Sequence, residues 1–374
     1  MVELELKNVT KKYGDLIAVK DLSFKTRKGE LIVLLGPPGA GKSSTLKMVA
    51  GVEDVTSGDI LMDGQVINHF DPAERDVAMA FETYALYPHL SVFENIAFPL
   101  RSPKRAHVFS EEAVRKKVLE VAQFLEIDML LERRPKELSG GQRQRVSLAR
   151  CLVREPRVFL LDEPIAHLDA KLRHRLRREL KKWQEERGTT TLYTTTDYLE
   201  AFSVGDRIVV LNRGVLEQIG TWEEIYNHPA SHFVGMIVSD PPMNYADAKV
   251  VTKDGELFLD VKGILFRLSS LTQEKIRTVK FQEAVMGIFP SKIVPLMPGL
   301  SSSSGTVVSG VVKFVELRGS RKIVFVSTEK NFTFTVQLSA EESVRPGDVV
   351  QYFFGMDEIQ VFDRESKKNV IFLG

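Results

Sequence analysis

Leu31-Ile32-Val33-Leu34-Leu35, running into Gly36-Pro37-Pro38-Gly39-Ala40-Gly41-Lys42-Ser43, is the stretch from which the rest of the chain can be read. Five consecutive apolar residues predict a strand buried on both faces. The Gly-x4-Gly-Lys-Ser spacing after such a strand and before a helical pattern predicts a phosphate-binding loop. Its glycines let backbone N–H groups turn toward phosphate oxygens, and the following helix adds its own N-terminal donors. Lys42 reaches the terminal phosphates and Ser43 can ligate Mg²⁺. Residues Gly36, Pro37, Pro38, Gly39, Ala40, Gly41, Lys42, Ser43 and Ser44 are therefore the predicted nucleotide cradle.

Downstream, Val158-Phe159-Leu160-Leu161 is a second buried strand, ending in Asp162-Glu163. Beside a phosphate loop, Asp162 can hold the Mg²⁺ shell and Glu163 can polarise an attacking water. Between the two lies Leu138-Ser139-Gly140-Gly141-Gln142-Arg143-Gln144-Arg145-Val146, a helix start of the anion-receiving kind without a lysine. Two phosphate-binding elements, only one with a full pocket, imply that the second completes a site on another subunit.

At 374 residues the chain is long enough for two or three domains. With 43% hydrophobic and 27% charged residues, it reads as neither disordered nor disulfide-stapled. Fifty-one basic against fifty acidic residues leave a charge of +1, which removes the net positive field of a generic nucleic-acid binder. The single Cys151 reads as a small buried side chain suited to a reducing compartment. Val2, Leu4 and Leu6 alternate with charges, which predicts an edge strand and no secretion signal. The apolar runs fall far short of the roughly 20 residues needed to span a bilayer, so membrane association would come through a partner.

Strands at 31–35, 158–161, 191–194 and 208–211 alternate with helical patterns up to residue 235, predicting a sheet flanked by helices. A helical subdomain is expected at about 84–150, with Ser110 capping a helix that opens on Glu111 and Glu112. The basic run 171–187 carries Leu168, Leu172, Leu176 and Leu180 at i+4, hence one buried stripe and a solvated face. From 236 to 374 short strands at close spacing (257–261, 307–317, 332–338, 349–354) predict an all-β domain of one or two barrels, with 301–305 as a loop tip.

Together the three motifs resemble the ATP-binding cassette (ABC) ATPases, and the resemblance extends over nearly the whole chain to the subunits of carbohydrate importers of the maltose type. It implies an α/β P-loop NTPase domain with an inserted helical subdomain, followed by an oligonucleotide-binding-like (TOBE-type) regulatory domain. It implies ATP and Mg²⁺ as cofactors, with Ser139, Gly140, Gly141 and Gln142 as the signature acting on a partner's site. Tyr13 matches the aromatic that stacks on adenine, and Asp169 in His167-Leu168-Asp169-Ala170 matches the D-loop aspartate at a dimer interface. Tyr84-Ala85-Leu86-Tyr87-Pro88-His89-Leu90-Ser91-Val92 matches the surface that receives a membrane subunit's coupling helix. Pro241-Pro242-Met243-Asn244 is similar to the hinge into the regulatory domain. As bare physics, Tyr13 also fits a strand-end aromatic and 84–92 a core segment.

The expected partners are a second ATPase subunit, two transmembrane permease subunits and, through them, an extracytoplasmic solute-binding protein, with no nucleic acid. The expected location is cytoplasmic, peripheral on the inner face of the cell membrane, serving uptake of a sugar, polyol or related solute.

The chain departs from the family pattern at two places. Glu82, in Ala80-Phe81-Glu82-Thr83, stands where the Q-loop has glutamine; it can still ligate Mg²⁺ but adds negative charge beside the γ-phosphate. Thr196, in Tyr193-Thr194-Thr195-Thr196-Asp197, stands where the switch histidine falls and can neither span an imidazole's reach nor carry its charge. Both belong to this chain's own pocket, so a heterodimer with an intact paralogue is expected over a homodimer. Two rivals stay open: a non-catalytic nucleotide-binding partner, and an ABC ATPase with no role in transport.

Overall fold

The computed structural model describes residues 2–101, 108–279, 282–297 and 303–372; Ser301 and Ser302 of the expected loop tip lie outside them. The chain divides into two compact units, Met1–Trp222 and Glu223–Gly374. The break falls at 222, not at the expected 235. The reason is that 223–235 already bonds within the second unit. Tyr226 stacks on Phe289 at 4.4 Å, Gln360 donates to the Asn227 carbonyl, and Asn369 donates to the Pro229 carbonyl. Pro241 to Asn244, read as a hinge, also lies inside this unit, where the Asn244 side chain exchanges hydrogen bonds with the Thr335 backbone at 2.8 and 2.7 Å.

Among the described residues the first unit has two sheets. One is antiparallel, built from β1 (Leu4–Tyr13), β2 (Leu16–Lys25), β4 (Ser57–Met62) and β5 (Gln65–Val66) in the order β2-β1-β4-β5. β1 pairs on both sides, so the N-terminal strand is interior rather than an edge. The alternation of Leu4, Leu6 and Val9 with charges reports one buried face and says nothing about neighbours in the sheet plane.

The other sheet holds β3 (Leu31–Leu35), β6 (Val77–Ala80), β7 (Val158–Asp162), β8 (Thr190–Thr195), β9 (Arg207–Asn212) and β10 (Val215–Gly220), in the order β10-β9-β3-β8-β7-β6. All its pairings are parallel except β9 with β10. β3 and β7 are buried at every position, as their unbroken apolar runs require. A common core joins Leu4, Leu6 and Val19 of the first sheet to Ile32, Leu160, Leu192 and Val209 of the second through Leu46 and Val49 of α1 (Lys42–Ala50).

The helical insertion comprises α2 (Val92–Ala97), α3 (Glu111–Phe124) and α4 (Gly140–Leu152), and α3 starts on the Ser110 cap as expected. α5 (Ala170–Arg187) buries Leu176, Leu180 and Trp183, while Lys181 and Lys182 pair with Glu185 and Glu186 one turn on. α6 (Tyr198–Val204) follows β8.

Among the described residues the second unit has two five-stranded antiparallel sheets over one core that includes Leu259, Phe266, Val326, Phe334 and Phe354. It also carries helices at His232–Ile237 and Ser270–Val279, so it is β-rich rather than the expected all-β domain. The first runs, in spatial order, Ile264–Arg267, Glu256–Val261, Asn244–Lys253, Glu283–Ile288 and Gln360–Asp363. The second runs Ile293–Pro295, Val349–Gly355, Gly305–Arg318, Arg321–Ser327 and Thr333–Ser339.

Candidate nucleotide site

In a parallel sheet the carboxyl ends of adjacent strands open on one crevice. Here β3, β8, β7 and β6 are consecutive neighbours, with Leu35 opposite Thr195 and Asp162 opposite Thr194. The loop 36–43, Thr196, Asp162 with Glu163, and Glu82 therefore leave the same edge of one sheet.

The cradle is built by close backbone approach. A Cβ on Gly36 would stand 2.4 Å from the Leu211 carbonyl oxygen, and one on Gly41, at φ 94°, 2.5 Å from that of Ala18. Gly39, at φ 79°, has open space where its Cβ would be. Gly41 is also the N-cap of α1 and offers no side-chain acceptor. The first amides of α1 are thus left for a ligand, and anionic phosphate suits them.

Lys42 is buried and donates to the carbonyls of Gly36 at 2.8 Å and Pro37 at 3.2 Å, with Glu163 Oε1 at 3.7 Å. Burial lowers its pKa, opposed by the charges of Glu163, Asp162 and Glu82. Burial raises that of Glu163; Lys42 opposes the shift, and Glu82 and Asp162 add to it. Ser43 Oγ donates to Asp162 Oδ1 at 2.9 Å, so the two supply neighbouring oxygen donors of the hard kind that Mg²⁺ takes. One ammonium among three carboxylates leaves room for a divalent cation beside a phosphate chain, and the residues fit that pair.

The remaining predicted residues fall as follows. Glu82 and Thr196 are exposed. Tyr13, 40% exposed, has Lys11 Nζ 4.8 Å from its ring centroid. Ser139 caps α4 in a reciprocal box with Gln142: the Gln142 N–H donates to Ser139 Oγ at 3.3 Å, and the Ser139 N–H to Gln142 Oε1 at 2.9 Å. Asp169 caps α5 by accepting from the Leu172 N–H.

Residues 84–92 are not the core segment that bare physics allowed. Ala85, Pro88 and His89 are exposed and Leu86 is half-buried. Arg150 of α4 donates to the carbonyls of Tyr84 and Ala85, and Asn95 of α2 donates to those of Tyr87, Leu90 and Ser91.

Sequence reasoning missed the side chains that hold the site. Thr194 Oγ1 donates to Asp162 Oδ1 at 2.8 Å and accepts from the Glu163 N–H at 3.0 Å. Gln144 donates to the Glu163 carbonyl at 2.8 Å and accepts from the His167 N–H at 3.0 Å. The signal was there: hydroxyls in a strand buried on both faces must find partners.

The family model described as "ABC transporter" matches residues 19–166. The trehalose/maltose import ATP-binding protein MalK of Thermococcus litoralis is 41% identical over 99% of this chain and 100% of its own length. The chain belongs to the ABC transporter family. The nucleotide-binding role and the ATP hydrolase class of that family's cassettes come with the membership. An sn-glycerol-3-phosphate import ATP-binding protein, UgpC of Psychromonas ingrahamii, is 38% identical over 99% of this chain and 96% of its own length. Among solved structures, the ATP-binding cassette MJ0796 as a dimer bound to ADP and Pi is 33% identical, with a TM-score of 0.54. It covers 58% of this chain and 98% of its own. The cassette fold expected from the motifs is thus the fold of the first unit, and the β-rich second unit lies wholly beyond the residues that the family model matches.

Proposed function

We propose that the chain is the nucleotide-binding subunit of a carbohydrate-type importer, cytoplasmic and peripheral on the inner face of the cell membrane. The carrying observation is the cradle of buried Lys42 and Asp162 with half-buried Ser43 and Glu163, in a chain alignable end to end with import ATP-binding proteins. ATP binds on loop 36–44 with adenine on Tyr13. Ser43 and Asp162, with Glu82 as a further candidate ligand, would hold Mg²⁺, which would supply charge neutralisation of the phosphates. Lys42 holds the terminal phosphates, and Glu163, its proton affinity raised by burial, accepts a proton from the attacking water. Ser139, Gly140, Gly141 and Gln142 complete the pocket of a second ATPase subunit, with Asp169 at the shared interface.

Residues 84–92 receive a helix of one of two permease subunits, which in turn meet an extracytoplasmic solute-binding protein. The exposure of Ala85, Pro88 and His89 on a backbone whose carbonyls are held by Arg150 and Asn95 supports that use. The solute class is a sugar, polyol or related compound, and the second unit regulates or dimerises. The test is ATP-driven uptake in vesicles holding the complete complex: Leu86→Asp is expected to abolish uptake and leave nucleotide affinity unchanged. Retained uptake contradicts the docking surface.

A second reading is favoured by Glu82 and Thr196 at the chain's own pocket: a slow or structural site, paired with an intact paralogue whose pocket this chain's signature completes. Rapid ATP hydrolysis by the unmodified chain alone contradicts it.

A further inference from the structure

Glu163 has φ 44°, in the left-handed region that a residue with a Cβ enters only when its surroundings over-determine it. Two side chains do so. The Glu163 N–H donates to Thr194 Oγ1 at 3.0 Å, and its carbonyl accepts from Gln144 Nε2 at 2.8 Å, besides the Ala166 N–H at 3.3 Å. Neither clamp has slack. The Thr194 hydroxyl spends its proton on Asp162 Oδ1 at 2.8 Å, which leaves its lone pairs for the Glu163 N–H. Gln144 Oε1 accepts from the His167 N–H at 3.0 Å, which fixes the orientation of the amide and ties both ends of the turn 163–167. Thr194 is 0% and Gln144 3% exposed, so water has no route to replace either.

We infer that Gln144 and Thr194 are positioning residues of the hydrolytic pocket, holding the Glu163 peptide in its left-handed turn so that the carboxylate stays beside Lys42. Both act on the backbone, and Glu163 acts on the chemistry. Without either bond the peptide is free to return to negative φ, and that rotation swings the carboxylate away from the cradle. Gln144 also lies on α4, two residues after the signature glutamine Gln142. Under the proposed function, which this part of the inference rests on, the helix that serves a partner's pocket at its start also holds this chain's general base. Movement of α4 is then felt at Glu163.

The test uses the full-length chain, unmodified and with Glu82→Gln and Thr196→His together, the background in which both γ-phosphate groups are restored. Into each go Gln144→Ala, Gln144→Glu, Thr194→Val and Thr194→Ser. Gln144→Glu keeps the acceptor for His167 and loses the donor to Glu163. The expected result is a fall in kcat of about 10²-fold for the first three, as for a displacement of about 1 Å at a reacting group. MgATP affinity by direct titration is expected to stay within about threefold, and Thr194→Ser to recover most of kcat because it keeps the hydroxyl. A structural role alone moves melting temperature and leaves kcat and affinity unsplit. Unchanged kcat, kcat and affinity falling together, or serine no better than valine overturns the inference. If the restored background hydrolyses no ATP, it is the hydrolytic reading that fails. Hydrogen exchange then decides the clamp: selectively faster exchange of the Glu163 and His167 amides in Gln144→Ala and Thr194→Val upholds it, and unchanged exchange overturns it.

Discussion

Lys42 lies buried under two carbonyls, and half-buried Ser43 and buried Thr194 converge on one oxygen of buried Asp162; Glu82 and Thr196, which follow β6 and β8 on either side of β7 in the same sheet, stand exposed. The cradle is part of the fold as well as of the site, so a substitution there disturbs packing and unpairs buried polar groups. The facing positions carry no such load. They can change without a penalty in stability, and whatever their substitution alters is confined to the chemistry of the bound nucleotide.

The largest expected effect tests that separation directly. Groups that stabilise charge in a transition state are typically worth about 10²-fold to 10³-fold in rate. Glu82→Gln with Thr196→His is expected to raise ATP hydrolysis by the isolated chain by that order, while stability moves by less than about 0.5 kcal/mol because both sites are exposed. Steady-state turnover and chemical denaturation on the same preparations check both halves. A chain already as fast as its double variant shows that Glu163 suffices without the two groups and ends the argument for an asymmetric pair.

Immediately behind Thr196 the exposed edge meets a buried ionisable pair. Tyr193 donates its hydroxyl to Glu200 Oε1 at 2.5 Å, and both residues are buried. Burial pushes the Glu200 carboxyl from 4.5 to about 7, with Asp197 adding to the shift and Tyr193, Arg177 and Thr195 opposing it. The folded state therefore holds a proton that the unfolded chain releases. The stabilisation is complete below pH 4.5 and is lost as pH rises through about 7. At about 1.4 kcal/mol per unit the loss reaches about 3 kcal/mol. Glu200→Gln removes the titration, so its advantage over the parent is expected to grow from pH 5 to pH 7.5 in denaturant unfolding of the first unit. A difference independent of pH shows that Glu200 is already ionised at pH 5.

Most of the cradle was legible because glycine spacing, an apolar strand and two terminal acids each have one economical structural reading. Lys42, Ser43, Asp162 and Glu163 came together as the strand order requires. Illegible were facts of pairing. The alternation in Leu4–Tyr13 shows which face is buried, and the second neighbour that makes this strand interior is recorded 50 residues away in Ser57–Met62. Gln144 sits in a polar run, Gly141-Gln142-Arg143-Gln144-Arg145, where nothing local separates the buried glutamine from the half-buried one. The unit boundary was set too late because the turn after Tyr226 has no strand pattern, although its carbonyls bond far down the chain to Gln360 and Asn369.

Within the cradle, Lys42→Ala removes a buried ammonium that faces the Gly36 and Pro37 carbonyls and that the proposed function sets against phosphate. A hydrogen bond to a charged group is worth about 1.5–3 kcal/mol, so MgATP affinity is expected to fall about 10-fold to 100-fold in calorimetric titration. Unchanged affinity sinks the cradle assignment and leaves Glu82 and Thr196 nothing to face.

The smallest expected effect comes from extending the comparison to the second unit. Its core is its own, drawn from Leu259, Phe266, Val326 and Phe354, while the cradle rests on a cluster made wholly of residues from 2 to 211. The hydrogen bonds at Lys42, Ser43, Thr194 and Gln144 likewise end on residues before 168 or in β8. A chain ending at Trp222 therefore keeps every contact that shapes the pocket, and its MgATP affinity is expected within about twofold of the full chain, since sites without shared partners act additively. The companion truncation before Asp240 leaves residues 223–239 attached without the second unit's strands. That strips Tyr226 of Phe289 and the Asn227 and Pro229 carbonyls of Gln360 and Asn369, so it is expected to be less soluble than the shorter form and no tighter for nucleotide. Should the longer form bind MgATP better than the one ending at Trp222, residues 223–239 belong to the nucleotide unit after all and the boundary returns to where the strand-helix alternation had placed it.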